Sequence, residues 1–153
     1  MRTQPGRDVA RAACAVLAAL LAAAGVWFVV PSNVNLDFQV DGFGRYTEGS
    51  SGRVSRCAHV RVANNAARAI WYWGCPARPD FSVCTLADGR WRGCSNSSSA
   101  SQWTALPGHG SIEFDVPFNE GAAAIRVGLA ARGSCFFGAG DTYWSGAIGV
   151  AAP

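Results

Sequence analysis

The chain has 153 residues, a formal net charge of +3, and 50% hydrophobic against 15% charged residues. That size holds one domain with a real core plus a short appendage, and that apolar content excludes a disordered polyelectrolyte. All 13 basic residues are arginine; this reads as codon bias rather than a nucleic-acid surface, because no recognised binding motif accompanies them.

The first element is a short basic tail, 1–11, read as cytoplasmic. It leads into Ala12–Val30, an uncharged apolar run of 19 residues. As a helix rising about 1.5 Å per residue it reaches roughly 28 Å, close to the roughly 30 Å of bilayer hydrocarbon. Arg2, Arg7 and Arg11 precede it against Asp8, Pro31 stops it, and Asp37 and Asp41 come before the next arginine, Arg45. That asymmetry predicts a single-pass signal-anchor in the lipid bilayer, N-terminus inside and C-terminal domain extracytoplasmic, with Trp27 and Phe28 at the outer interface. The alternative is a signal peptide: Ala22–Ala24 fits a small-x-small site, and cleavage near Ala24 releases a secreted domain.

Residues 31–53 read as a stalk carrying a first strand over 33–40, where Val34, Leu36, Phe38 and Val40 alternate with polar residues; that strand can equally belong to the following domain. Asp41 to Arg53 is rich in Gly and Ser and predicts a loop. From residue 54 to 153, alternation marks Val54–Val62, Ala69–Cys75, Ile112–Val116 and Ile125–Leu129 as strands. Asn64-Asn65 and Leu106-Pro107-Gly108 mark turns. Asp88-Gly89 predicts a hairpin between Phe81–Ala87 and Arg90–Cys94. Residues 95–101 read as a polar loop, and Tyr143–Val150 as a last strand. Seven or eight short strands predict an all-β, single antiparallel β-sandwich, Ig-like or a similar Greek key, behind one N-terminal transmembrane or signal helix.

Five cysteines follow the apolar run: Cys57, Cys75, Cys84, Cys94 and Cys135. Export makes disulfides the default, with two bridges and one leftover thiol open to pairing between chains as a dimer. A two-residue Asp88-Gly89 turn sets Cys84 opposite Gly93, so Cys84 and Cys94 face opposite sides and are expected to bridge elsewhere unless a bulge intervenes. No Cys-x-x-Cys occurs and Met1 is the only methionine, so neither a zinc pattern nor a blue-copper set is legible, and no metal or cofactor is expected.

The sequence offers no catalytic motif. His59 shares a strand register with Cys57 and Arg61, His109 sits in a Pro-Gly-His-Gly turn, and Gly-x-Ser-x-Gly is absent. Residues 53–92 hold seven arginines against two aspartates, a net of +5, whereas 93–153 net −2. Such segregation suits either an anionic partner or neighbouring strands that neutralise each other. Trp71 and Trp73 share one strand face and are expected chiefly as core. Exposed, they would offer a sugar platform beside Arg90 and Arg92.

The markers Asn64-Asn65, Ile70-Trp71-x-x-Gly74, Pro79, Trp91, Leu106-Pro107-Gly108, Phe114-x-Val116 and Arg126-Val127 resemble those of a family of short uncharacterised bacterial proteins with an N-terminal membrane anchor and one exported β-domain. The resemblance spans residues 57–130, leaves the cysteines outside its pattern and implies no activity. The expectation is therefore a non-catalytic, membrane-anchored structural or interaction module of the cell envelope, with an envelope glycan or protein as partner. A carbohydrate-binding module is the alternative, and a cleaved secreted domain or an enzyme a remoter one.

Overall fold

A computed structural model describes residue 16 and residues 33–47, 52–76, 78–97, 102–133 and 140–150. The chain divides into two units at Pro31/Ser32. The apolar run lies outside the described residues apart from Val16, as does Cys135. Among the described residues no helix is long and apolar enough to cross a membrane.

The second unit is all-β and antiparallel. Its strands are β1 (Leu36–Thr47), β2 (Val54–Asn64), β3 (Ile70–Cys75), β4 (Arg78–Pro79), β5 (Phe81–Ala87), β6 (Arg90–Asn96), β7 (Trp103–Leu106), β8 (Ser111–Phe118), β9 (Ala124–Arg132), β10 (Asp141–Trp144) and β11 (Ile148–Gly149). One sheet has the order β1-β2-β8. The other is centred on β9. Ala131 pairs with both Tyr72 and Asp141, and Leu129 with both Phe81 and Tyr143. So β3 and β5 lie end to end along one edge of β9, and β10 and β11 along the other. Outside them, β7 pairs with β3 and β6 with β5.

The two sheets bury one core. Ala58, Val60 and Val62 of β2 and Val116 and Phe118 of β8 meet Ile70, Tyr72, Val83, Ile125, Val127 and Leu129 of the other sheet. Phe81 stacks on Phe114 across the gap, ring centroids 5.3 Å apart. The alternation that marks these strands in the sequence is what allows one face of each sheet to leave water.

Three expectations change. Residues 41–47 are strand rather than loop. Val40 opposes Val60 while Gly42 opposes His59, so Asp41 is the extra residue of a bulge and β1 runs on to Thr47 beside β2. Residues 36–47 therefore belong to the sheet, not to a stalk. Trp103–Leu106, where the sequence marks only a turn from Leu106 onward, forms β7 along the edge of β3.

The third change concerns the disulfide. Asp88 and Gly89, both at positive φ (52° and 72°), make the two-residue turn that places Ala87 opposite Arg90. The register then slips: Thr85 opposes Arg92, but Val83 opposes Ser95. This one-residue bulge in β6 brings Cys94 round to Cys84, and the two are bridged. The expectation that they bridge elsewhere is corrected by the bulge on which it was conditional. The bridge spans a sequence separation of 10 residues, worth up to about 3 kcal/mol by chain entropy. It ties down an edge strand exposed along its whole length.

Tyr72 and Tyr143 flank β9. Desolvation by burial raises both phenols above the ordinary value of 10.0, with help from Cys75 at Tyr72 and from Asp141 at Tyr143. An unfolded chain would release these protons first, so their contribution is complete below pH 10 and is lost as pH climbs through the folded values. With no lysine in the chain, the main companion in this range is the buried Cys57 thiol, likewise raised by desolvation from its ordinary 9.0. We expect the thermal midpoint to stay level up to about pH 8.5 and then fall, first through the thiol and then through the phenols. The fall should be shallower in Tyr143→Phe; a midpoint unchanged at pH 11 would contradict the argument.

Candidate functional site

Two outward faces carry the side chains with chemical potential. On the first sheet, the residues of β2 alternate with the core set Ala58, Val60 and Val62, so Cys57, His59 and Arg61 point outward. Directly opposite on β8 stand Pro117, Asp115 and Glu113, and on β1 Gly44 and Gly42 face Cys57 and His59. His59 Nδ1 donates to Asp115 Oδ1 at 2.5 Å. Arg61 donates from Nε and Nη2 to Glu113 Oε1 at 3.0 and 2.9 Å, and lies 3.4 Å from Asp41 Oδ2. One arginine of the basic segment, Arg61, thus meets an acid of the C-terminal segment across the β2–β8 ladder. Exposed pairs of this kind stabilise little.

Cys57 sits at the end of this stripe, fully buried although on the outer face. Burial raises its thiol above the ordinary 9.0, and the nearby Asp115 carboxylate adds to the rise, against a backbone hydrogen bond from Gly44. Its Sγ, a ring nitrogen of His59 and a carboxylate oxygen of Asp115 all lie within 4.8 Å of one another. Gly44 makes room for them. A Cβ there would stand 2.7 Å from His59 Nε2 and 3.6 Å from Cys57 Sγ. Spacing rules along the chain do not see this set, because Asp115 lies 56 residues from His59. The shared register of Cys57 and His59 was the only legible signal.

The second face belongs to the β9 sheet. Ile70 and Tyr72 enter the core, so Trp71 and Trp73 lie on the outside, half-buried, rather than in the core. Trp73 meets its cross-strand neighbour Trp103 edge to face at 5.1 Å, and the Arg132 guanidinium lies 4.2 Å from the Trp103 centroid. Further along the same face, the Arg126 guanidinium lies 4.5 Å from the Trp91 ring. Trp144 crosses Gly128, where a Cβ would come within 2.9 Å of its ring. Trp91 and Trp144 are the exposed members, at 39% and 43%.

The register separates Arg90 and Arg92 from this face. They oppose Ala87 and Thr85, whereas Trp91 opposes Leu86 on the tryptophan side. Arg92 instead pairs with Asp88 at 2.5 Å. The expected grouping of Trp71 and Trp73 with Arg90 and Arg92 is therefore corrected. The arginines that share their face are Arg126 and Arg132, supplied by β9, and sequence periodicity within one hairpin could not find them.

Of the remaining cysteines, Cys75 is half-buried and, like Cys57, carries a free thiol. Cys57 is closed to a second chain by its burial, which leaves Cys75 the accessible thiol among the described residues. His109 occupies its turn at a φ of 59° and is exposed.

Compared with protein-family models, curated proteins and solved structures, the chain matches none.

Proposed function

We propose that the chain is a non-catalytic, membrane-anchored extracytoplasmic interaction module of the cell envelope, in the manner of the short anchored bacterial proteins its motifs resemble. Strand connectivity supports an Ig-like Greek key. The first two strands pair, the chain crosses to the other sheet, returns as β8 beside β2, and crosses again to β9. The Cys84–Cys94 bridge suits an oxidising compartment. Catalysis by Cys57, the strongest nucleophile candidate beside a His–Asp pair, is disfavoured because its thiol is buried and held protonated. The N-terminal residue of the protein isolated from membranes tests the anchor. Met1 supports it, and a start near Gly25 supports the secreted form instead.

The observation that carries the binding role is the tryptophan–arginine face of the β9 sheet. Five tryptophans and two arginines gather there, and its exposed pair, Trp91 and Trp144, lies on the same side as the cation Arg126. Flat apolar rings beside a fixed positive charge complement a sugar polymer bearing acidic groups. The ligand of this reading is an anionic envelope glycan. Titrating the protein with uronic-acid and phosphate-bearing oligosaccharides should shift tryptophan emission. Affinity should fall at least tenfold in Trp91→Ala or Trp144→Ala, and change little in Arg90→Ala. A flat titration with every acidic oligosaccharide would remove the carbohydrate reading and leave a protein partner.

A further inference from the structure

We propose that Cys57, His59 and Asp115 form a site for one divalent transition-metal ion of the zinc class on the outer face of the β1-β2-β8 sheet. This site is separate from the tryptophan face and does not rest on the glycan reading.

The donors are one thiol, one imidazole and one carboxylate, the three ligand types that zinc accepts. Their atoms lie within 4.8 Å of one another. With no two donors more than 4.8 Å apart, an ion seated among them stands at most about 2.8 Å from each, no more than roughly 0.5–0.8 Å beyond zinc bond lengths. Small side-chain rotations close such a gap, and His59 and Asp115, with side chains 50% and 44% exposed, have the freedom to make them. The backbone is already in place, because cross-strand pairing sets His59 opposite Asp115 and alternation sets Cys57 beside His59.

Two further features distinguish this cluster from an ordinary surface ion pair. The remaining acids of the stripe, Glu113 and Asp41, are committed to Arg61, so among the described residues Asp115 is the acid that faces the thiol and imidazole. Gly44 leaves open the space between Cys57 Sγ and His59 Nε2 that any side chain would fill. The thiol enters as thiolate, releasing its proton to solvent as the metal–sulfur bond forms. With three protein donors the ion keeps an outward position for water or for a donor from a partner, as open zinc sites do.

Cobalt(II), a spectroscopic stand-in for zinc, tests the site in the full chain in detergent micelles. One equivalent should give a thiolate-to-cobalt charge-transfer absorption that zinc(II) bleaches. Cys57→Ser should abolish the band, and Cys75→Ser should leave it intact. Asp115→Asn and His59→Gln should each weaken cobalt binding by at least about tenfold, and Gly44→Val should weaken it by crowding. Should Cys57→Ser fail to fold, the His59→Gln titration decides, since that side chain is exposed and its loss leaves the core untouched. Absence of a band in the wild type, loss of the band in Cys75→Ser alone, or full affinity in His59→Gln would overturn the proposal.

Discussion

Replacing Leu129 with alanine is expected to destabilise the domain by about 3–4 kcal/mol, the range for emptying a well-enclosed leucine site. Leu129 is fully buried at the middle of β9, opposed by Phe81 on one side and Tyr143 on the other. Both flanking strands hold their places through β9, so the cavity cannot close by moving an edge strand inward. Urea unfolding followed by tryptophan emission should show a lower midpoint with an unchanged denaturant slope. The exposed neighbouring substitution Thr142→Ala should stay within about 0.5 kcal/mol. A cost below about 1 kcal/mol at Leu129 would mean that the two sheets do not close on β9 as described.

The second large effect is expected at Asn64, a polar side chain with no exposed surface. Its Nδ2 donates to the carbonyls of Arg68, Leu106 and Pro107 at 2.9, 3.3 and 3.0 Å, and its Oδ1 accepts from the Ala66 amide at 3.0 Å. Its own backbone accepts from the His109 amide and donates to Gly110, at 3.0 and 2.9 Å. One side chain thus joins the β2–β3 connection to the turn between β7 and β8. Asn64→Ala strands several polar groups out of water at about 1–3 kcal/mol for each one fully buried. Since some of these groups are only part-buried, a total of about 3 kcal/mol is expected. Asn64→Asp should be at least as harmful, because a carboxylate has no N–H to donate to these carbonyls. Asn65→Ala, at an exposed position whose amide rather than side chain makes the bond to Asn35, should be nearly neutral. Equal effects at Asn64 and Asn65 would show that the turn, not the side-chain network, carries the connection.

These two positions also show how far the residue pattern reads. Leu129 was legible because Ile125, Val127 and Leu129 alternate, and alternation reports directly which side of a strand leaves water. Asn64 was legible as a turn marker, but two of its side-chain partners are 42 and 43 residues away, and nothing local announces a contact of that range. The same division runs through the candidate sites. The common face of Cys57, His59 and Arg61 follows from period-2 geometry alone. The approach of Asp115 and the clearance at Gly44 depend on which strands pair, and in what register.

By itself the residue order determined the positions of most strands, the Asp88-Gly89 turn and the all-β class, because each rests on side-chain alternation or on a backbone preference within a few residues. The tertiary structure decided the rest: the extension of β1 past Asp41, the union of Cys84 with Cys94, the outward face of Trp71 and Trp73, and the replacement of Arg90 and Arg92 by Arg126 and Arg132 beside them. Each of these turns on a bulge or a cross-strand register. A single-residue slip moves a side chain to the other face of its sheet, and that slip is set by contacts between distant strands.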